Sequence, residues 1–158
     1  HFPLLNNNQI CHCGKMGCLE TGASGSAVHR IFMDKLKEGR TSMLSDKYNR
    51  GEVIHIEEII DAVNEEDVLA IEVVEEIGTT LGRAIAGLIN LFNPELIVIG
   101  GNVSITRDYL LLPIKSAIQK HSLNIINSDT TIKYSKLGKK AGAIGSCMLS
   151  RSKLLGLL

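Results

Sequence analysis

Asn90-Leu91-Phe92-Asn93-Pro94-Glu95-Leu96-Ile97-Val98-Ile99-Gly100-Gly101 is the stretch that decides the fold class. Pro94 cannot continue a helix, because its ring removes an N–H donor and clashes with the preceding turn. The apolar run after it, closed by two glycines, has the pattern of a strand buried within a parallel sheet. Upstream, Leu69, Val74, Ile77, Leu81, Ile85 and Ile89 recur at helical spacing and predict one long helix over about residues 65–92. Asn64 is placed to cap it, with Glu65, Glu66 and Asp67 near its positive end. Gly78, Gly82 and Gly87 each cost about 1 kcal/mol in a helix interior, so they are expected where a second backbone comes close. Downstream, the glycine turn leads into a helix over about residues 106–121, with Pro113 inside it. An alternating strand at 130–134 and a last helix at 141–155 follow. Helix, strand, helix, strand, helix is an α/β unit of the doubly wound type.

The first half of the chain is read as helical. Ser24 is placed to cap a helix carrying Ala27, Val28, Ile31, Phe32 and Leu36 on one stripe, stopping at Gly39. Residues 39–51 are polar and turn-rich. Residues 55–64 predict a short helix with Ile56, Ile59, Ile60 and Val63 on one face.

Chemistry concentrates in Cys11-His12-Cys13-Gly14-Lys15-Met16-Gly17-Cys18-Leu19-Glu20, which holds all but one of the 4 cysteines. The glycines allow a turn tight enough for the thiols to face a common point. Sulfur ligands converging in such a turn suit a structural zinc ion, which needs a tetrahedral shell of sulfur and nitrogen. The fourth ligand is expected to be His1 or His12. His12 sits between two ligands and would point away from them in an extended backbone, so the predicted shell is His1, Cys11, Cys13 and Cys18. Free or oxidised thiols are the alternative, although a Cys11–Cys18 disulfide would leave Cys13 odd and no redox C-x-x-C spacing is present.

These two stretches resemble the signatures of the ROK family of bacterial repressors and sugar kinases. The family pattern C-x-C-G-x-x-G-C-x-E, preceded by a zinc-binding histidine, is matched by residues 11–20 with His1 upstream. The pattern N-L-x-N-P-x-x-I-V-I-G-G is matched by residues 90–101. The resemblance implies the C-terminal lobe of an actin-like ATPase (ribonuclease H-like) fold with a structural zinc loop. Residues 1–158 are then one lobe, divided into a zinc loop (1–20), a helical region (24–92) and an α/β unit (95–158). A partner lobe is expected upstream of His1. The resemblance also implies that Glu20 hydrogen-bonds sugar hydroxyls and that His1 borders the same pocket. Gly100 and Gly101 form a strand-to-helix turn whose backbone amides can hold a phosphate or nucleotide, which would be ATP with magnesium under a kinase reading, but Asn102 stands where family kinases usually show a third glycine. A tight α/β connection is the equal alternative reading of that turn.

Composition narrows the remainder. The chain is 44% hydrophobic and 22% charged, with 17 basic and 17 acidic residues, 4% aromatics and no Trp, which suits one domain with an aliphatic core. No basic concentration marks a nucleic-acid surface: Lys136, Lys139 and Lys140, and residues 151–153, read as solvated faces. No run reaches membrane-span length, no signal peptide is visible, and the expected place is the cytoplasm. Cys147 reads as a small core residue, His29, His55 and His121 lack partners at metal spacing, and Glu72, Glu75 and Glu76 read as an exposed helix face. No catalytic residue is identified: a sugar kinase needs an aspartate base and a phosphate loop, and an operator-binding repressor needs a winged helix-turn-helix. Neither set is found in these residues. The expected function is the sugar- or amino-sugar-binding part of a sugar-responsive ROK repressor, a homodimer or tetramer that meets operator DNA through another domain. The alternative is a lobe of an ATP-dependent kinase of glucose, N-acetylglucosamine or N-acetylmannosamine, and a further one is a zinc-stabilised interaction module without sugar.

Overall fold

Two helices packed side by side organise the protein. A computed structural model describes residues 1–123 and 129–157. Its elements are α1 (Gly25–Lys37), α2 (Ser45–Asn49), α3 (Ile56–Asn64), α4 (Val68–Phe92), β1 (Leu96–Ile99), α5 (Asp108–His121), β2 (Thr131–Tyr134) and α6 (Ala141–Leu154). Single turns of 3-10 helix stand at Leu19–Thr21, Asn102–Thr106 and Gly138–Lys140.

Helix α4 meets α5 along the expected glycine seam. A Cβ on Gly78 would lie 2.9 Å from the Leu110 carbonyl oxygen, and one on Gly82 would lie 2.6 Å from that of Ile114. The contacts ascend together along both helices, so the two run parallel. Gly87 is not part of the seam, since nothing lies within 4 Å of its Cβ position. Pro113 sits inside α5 and faces Gly78, so the break in the hydrogen-bond ladder falls at the close approach. At the far end Asn90 donates to the His121 carbonyl and accepts from the Leu123 N–H at 3.0 Å, tying the two C-termini together.

The helix boundaries differ from expectation at one point. Asn64 is the last residue of α3, not the cap of α4. Glu66 turns the chain with φ 64, and Asp67 caps α4 by accepting the Ala70 N–H at 2.8 Å. Its other carboxylate oxygen accepts the Met43 N–H at 2.7 Å, so one side chain closes a helix and holds the preceding loop. That second bond is tertiary and leaves no local pattern in sequence. Asp67→Ala should cost about 1–2 kcal/mol in chemical denaturation, the upper range for a lost cap. The polar segment 39–51 also contains a helix the sequence did not announce, α2, beside the predicted turns.

The core lies between α1, α3, α4 and α5, around Phe32, Ile59, Val73, Ile77 and Ile114. Strands β1 and β2 pair in parallel, Leu96 opposite Thr131 and Ile99 opposite Tyr134. The parallel pairing follows expectation, but burial on both faces does not: Leu96 and Val98 are 50% and 55% exposed. Among the described residues the sheet has two strands, and only the Ile97 and Ile99 side faces the core. Cys147 is likewise exposed rather than buried, because α6 carries no buried residue. An apolar stretch is buried only where a second surface covers it, and among the described residues none covers α6. No helix among the described residues is long and apolar enough to cross a membrane.

Candidate metal and sugar site

The cysteine loop is built by backbone pairing with the first residues of the chain. Pro3 bridges Cys18 and Ile10 bridges Met16, both antiparallel. The Leu4 and Leu5 N–H groups both donate to the Gly17 carbonyl, at 2.9 and 2.8 Å, and the Leu19 N–H donates to the Phe2 carbonyl at 2.8 Å. Gly14 and Gly17 take φ of 82 and 71, the left-handed region that favours glycine. At Gly17 the need is absolute, since a Cβ would lie 2.2 Å from the Leu5 carbonyl oxygen.

This pairing draws His1 over the loop. Its Nδ1 lies 3.2 Å from the Cys11 sulfur, and the Cys13 and Cys18 sulfurs lie 3.6 Å apart. The donor atoms of His1, Cys11, Cys13 and Cys18 all fall within 4.8 Å of one another. A zinc ion with sulfur bonds of about 2.3 Å has tetrahedral edges of about 3.8 Å, so the donor set fits such an ion in number, type and spacing. His12 is outside the group and exposed. Burial pushes the Cys18 thiol up to about 11, whereas the Lys15 backbone N–H holds Cys13 below the ordinary thiol value. Without a cation beside it, the buried Cys18 is a neutral thiol.

Glu20 stands on the 3-10 turn that follows the last cysteine. Its Oε2 lies 3.1 Å from His1 Nδ1 and 4.0 Å from the Cys11 sulfur, so the carboxylate borders the cluster while 41% of the side chain stays exposed. It opens onto a cavity of about 170 Å³ shared with Gln9, His12, Ser26 and Arg30. Arg30 Nη2 donates to the Thr21 carbonyl at 2.9 Å and joins α1 to the turn that carries Glu20. Arg30 and Ser26 were not singled out by sequence, and His12 was weighed there only as a metal ligand. Ser26 and Arg30 are one helical turn apart on α1, so spacing would have put them on one face once Ser24 was taken as the cap. Ser24 does cap α1, accepting the Ala27 N–H at 3.2 Å. His29 is structural: its Nε2 lies 2.8 Å from the Ile54 carbonyl oxygen.

The Gly100-Gly101 turn does not line the Glu20 cavity. Gly101 has φ 93, and a second cavity, of about 260 Å³, separates the turn from Ser24 and Gly25 at the start of α1. The turn enters the 3-10 segment Asn102–Thr106 rather than α5 directly. Ser104 Oγ donates to the Gly101 carbonyl at 2.6 Å, which consumes one acceptor of the turn internally.

A parallel strand pair, two helices packed along a glycine seam and a Cys3His cluster beside a carboxylate make up an α/β lobe. The ROK family model matches residues 1–153, and the chain belongs to the ROK family. It is 38% identical over 143 residues to a glucokinase of Halalkalibacterium halodurans, covering 90% of this chain and 43% of the relative. It is 36% identical over 160 residues to the DNA-binding transcriptional dual regulator NagC of Escherichia coli K12, covering 100% of this chain and 38% of that protein. A ROK glucokinase from Streptomyces griseus, solved with glucose and AMPPNP, superposes with a TM-score of 0.81 at 27% identity, over 96% of this chain and 50% of its own. The chain thus spans about two fifths of the length of these curated relatives. Both repressors and kinases are among its relatives.

Proposed function

We infer that the chain is the effector-binding lobe of a sugar-responsive ROK repressor, with sugar or amino-sugar hydroxyls held by Glu20 beside His1. The observation that carries this reading is the Glu20 carboxylate, set beside the His1–Cys11 edge and open to a cavity lined by Ser26 and Arg30. A carboxylate accepts two hydroxyl protons in short charge-assisted bonds, which matches a sugar diol. Zinc held by His1, Cys11, Cys13 and Cys18 would supply rigidity to the loop and no chemistry of its own. The repressor NagC aligns with the whole chain, which supports regulation as the outcome of binding. Sugar bound between this lobe and another would shift their orientation, and with it the spacing of DNA-binding heads in a dimer or tetramer acting in the cytoplasm.

A second reading is a lobe of an ATP-dependent ROK sugar kinase. The cavity between Gly100-Gly101 and the start of α1 favours it, because backbone amides at a helix N-terminus suit a nucleotide phosphate. The glucokinase relative supports it too. Titration of the full-length protein with glucose, N-acetylglucosamine, N-acetylmannosamine and xylose, with and without MgATP, separates the two. Binding without turnover supports the repressor, turnover establishes the kinase, and no binding at all rejects the sugar site. Under either reading Glu20→Gln should weaken sugar binding about 10- to 100-fold, the loss of a charge-assisted hydrogen bond, with the fold intact by circular dichroism. Unchanged affinity would remove Glu20 from the site.

A further inference from the structure

The three sulfurs of the cluster are not equivalent. Cys13 is exposed, whereas Cys11 and Cys18 are buried. The Cys13 and Cys18 sulfurs lie 3.6 Å apart, while Cys11 turns toward His1 at 3.2 Å and Glu20 at 4.0 Å. Backbone hydrogen bonds from the Leu4 and Leu5 N–H groups to the Gly17 carbonyl hold the segment that joins Cys13 to Cys18. A disulfide requires the two sulfurs to close from 3.6 Å to about 2.05 Å.

We propose that Cys13 and Cys18 are an oxidation site: hydrogen peroxide joins them as a disulfide and expels the metal ion held by His1, Cys11, Cys13 and Cys18. The inference rests on the metal reading of the cluster. The chemistry balances in two steps. The Cys13 thiolate attacks one peroxide oxygen, the O–O bond breaks, and hydroxide leaves, giving a sulfenic acid. The Cys18 sulfur then attacks the Cys13 sulfur, the S–O bond breaks, and the departing hydroxide takes up a proton as water. Two thiols lose two electrons, and the peroxide is reduced to water. A disulfide offers no thiolate, so two of the four ligands vanish and the ion dissociates. Cys18 is reached only through Cys13, which is the exposed thiol and therefore the first to meet the oxidant. Cys11 keeps its contacts with His1 and Glu20 and stays reduced.

The test uses the full-length protein carrying Cys147→Ser, which removes the exposed helix thiol as a competitor. It is loaded with zinc and exposed to hydrogen peroxide in the presence of a chromophoric chelator. The expected result is release of one zinc per chain in step with a new bridge between two tryptic peptides. Lys15 lies between Cys13 and Cys18, so cleavage there leaves those peptides joined only by a disulfide. Alkylation of the remaining thiol places the bridge at Cys13 rather than Cys11, and dithiothreitol with fresh zinc reverses both changes. A bridge through Cys11, release with Cys13 overoxidised and unbridged, or zinc retained while a control thiol is fully oxidised would each overturn the proposal. Protein that binds no zinc but still forms the Cys13–Cys18 bridge would overturn the expulsion step together with the metal reading. Zinc bound and never released overturns the switch alone.

Discussion

Gly82→Ala will destabilise the protein by about 2 kcal/mol or more, while Gly87→Ala in the same helix will stabilise it by up to about 1 kcal/mol. Both substitutions gain the same helix propensity, roughly 1 kcal/mol over glycine. They differ in what the new methyl group meets. At Gly82 it would lie 2.6 Å from the Ile114 carbonyl oxygen and 2.7 Å from the Ala117 Cβ, two rigid points on the facing helix. Neither is a flexible side-chain tip, so α4 and α5 must separate, and the loss of packing costs about 3 kcal/mol. At Gly87 the space is open and the propensity gain stands alone. Paired urea unfolding curves decide it. Equal shifts of the same sign would show that the two helices do not meet along this seam.

The second large effect is at Cys18. Cys18→Ser should lower zinc affinity more than about 100-fold, since even loss of a residue behind a metal ligand costs 10- to 100-fold. Cys18 is fully buried, its neighbour Pro3 pairs with it through the backbone, and its sulfur lies 3.6 Å from that of Cys13. Metal affinity is folding energy for a loop assembled around an ion, so the melting temperature should fall and the sugar response should fall with it. Cys13→Ala gives the same zinc loss at an exposed position, with little packing penalty of its own. Cys147→Ser, on the exposed face of α6, should change neither quantity. Zinc stoichiometry after dialysis and thermal unfolding are the two readings. Full occupancy with an unchanged melting temperature in Cys18→Ser would show that the cluster is not a metal site.

Much of the candidate site was legible because its signal is local. Three cysteines within eight residues and two glycines between them leave few conformations, and the first residues of the chain need only fold back over a short distance. His1 was preferred to His12 by alternation alone, and the Pro3–Cys18 bridge is the physical means that brings it there. What was missed is the far wall of the cavity. Arg30 gains its place from a hydrogen bond to the Thr21 carbonyl, a contact between a helix and a turn that no periodicity encodes. Asp67 was misplaced as a first-turn acid for a similar reason. Its second partner, the Met43 N–H, belongs to a loop 24 residues away.

The sequence by itself determined the order and type of the long elements, the glycine seam at Gly78 and Gly82, and the grouping of His1 with Cys11, Cys13 and Cys18. These depend on interactions within one segment or on a residue type with a single use: proline stops helices, and close approach selects glycine. Only the tertiary structure decided which apolar residues are covered. Leu96 and Val98 in their apolar run, and Cys147 on the last helix, read as core, yet they are exposed. Hydrophobicity states that a surface gains from being covered, and only the arrangement of the other elements settles whether something covers it.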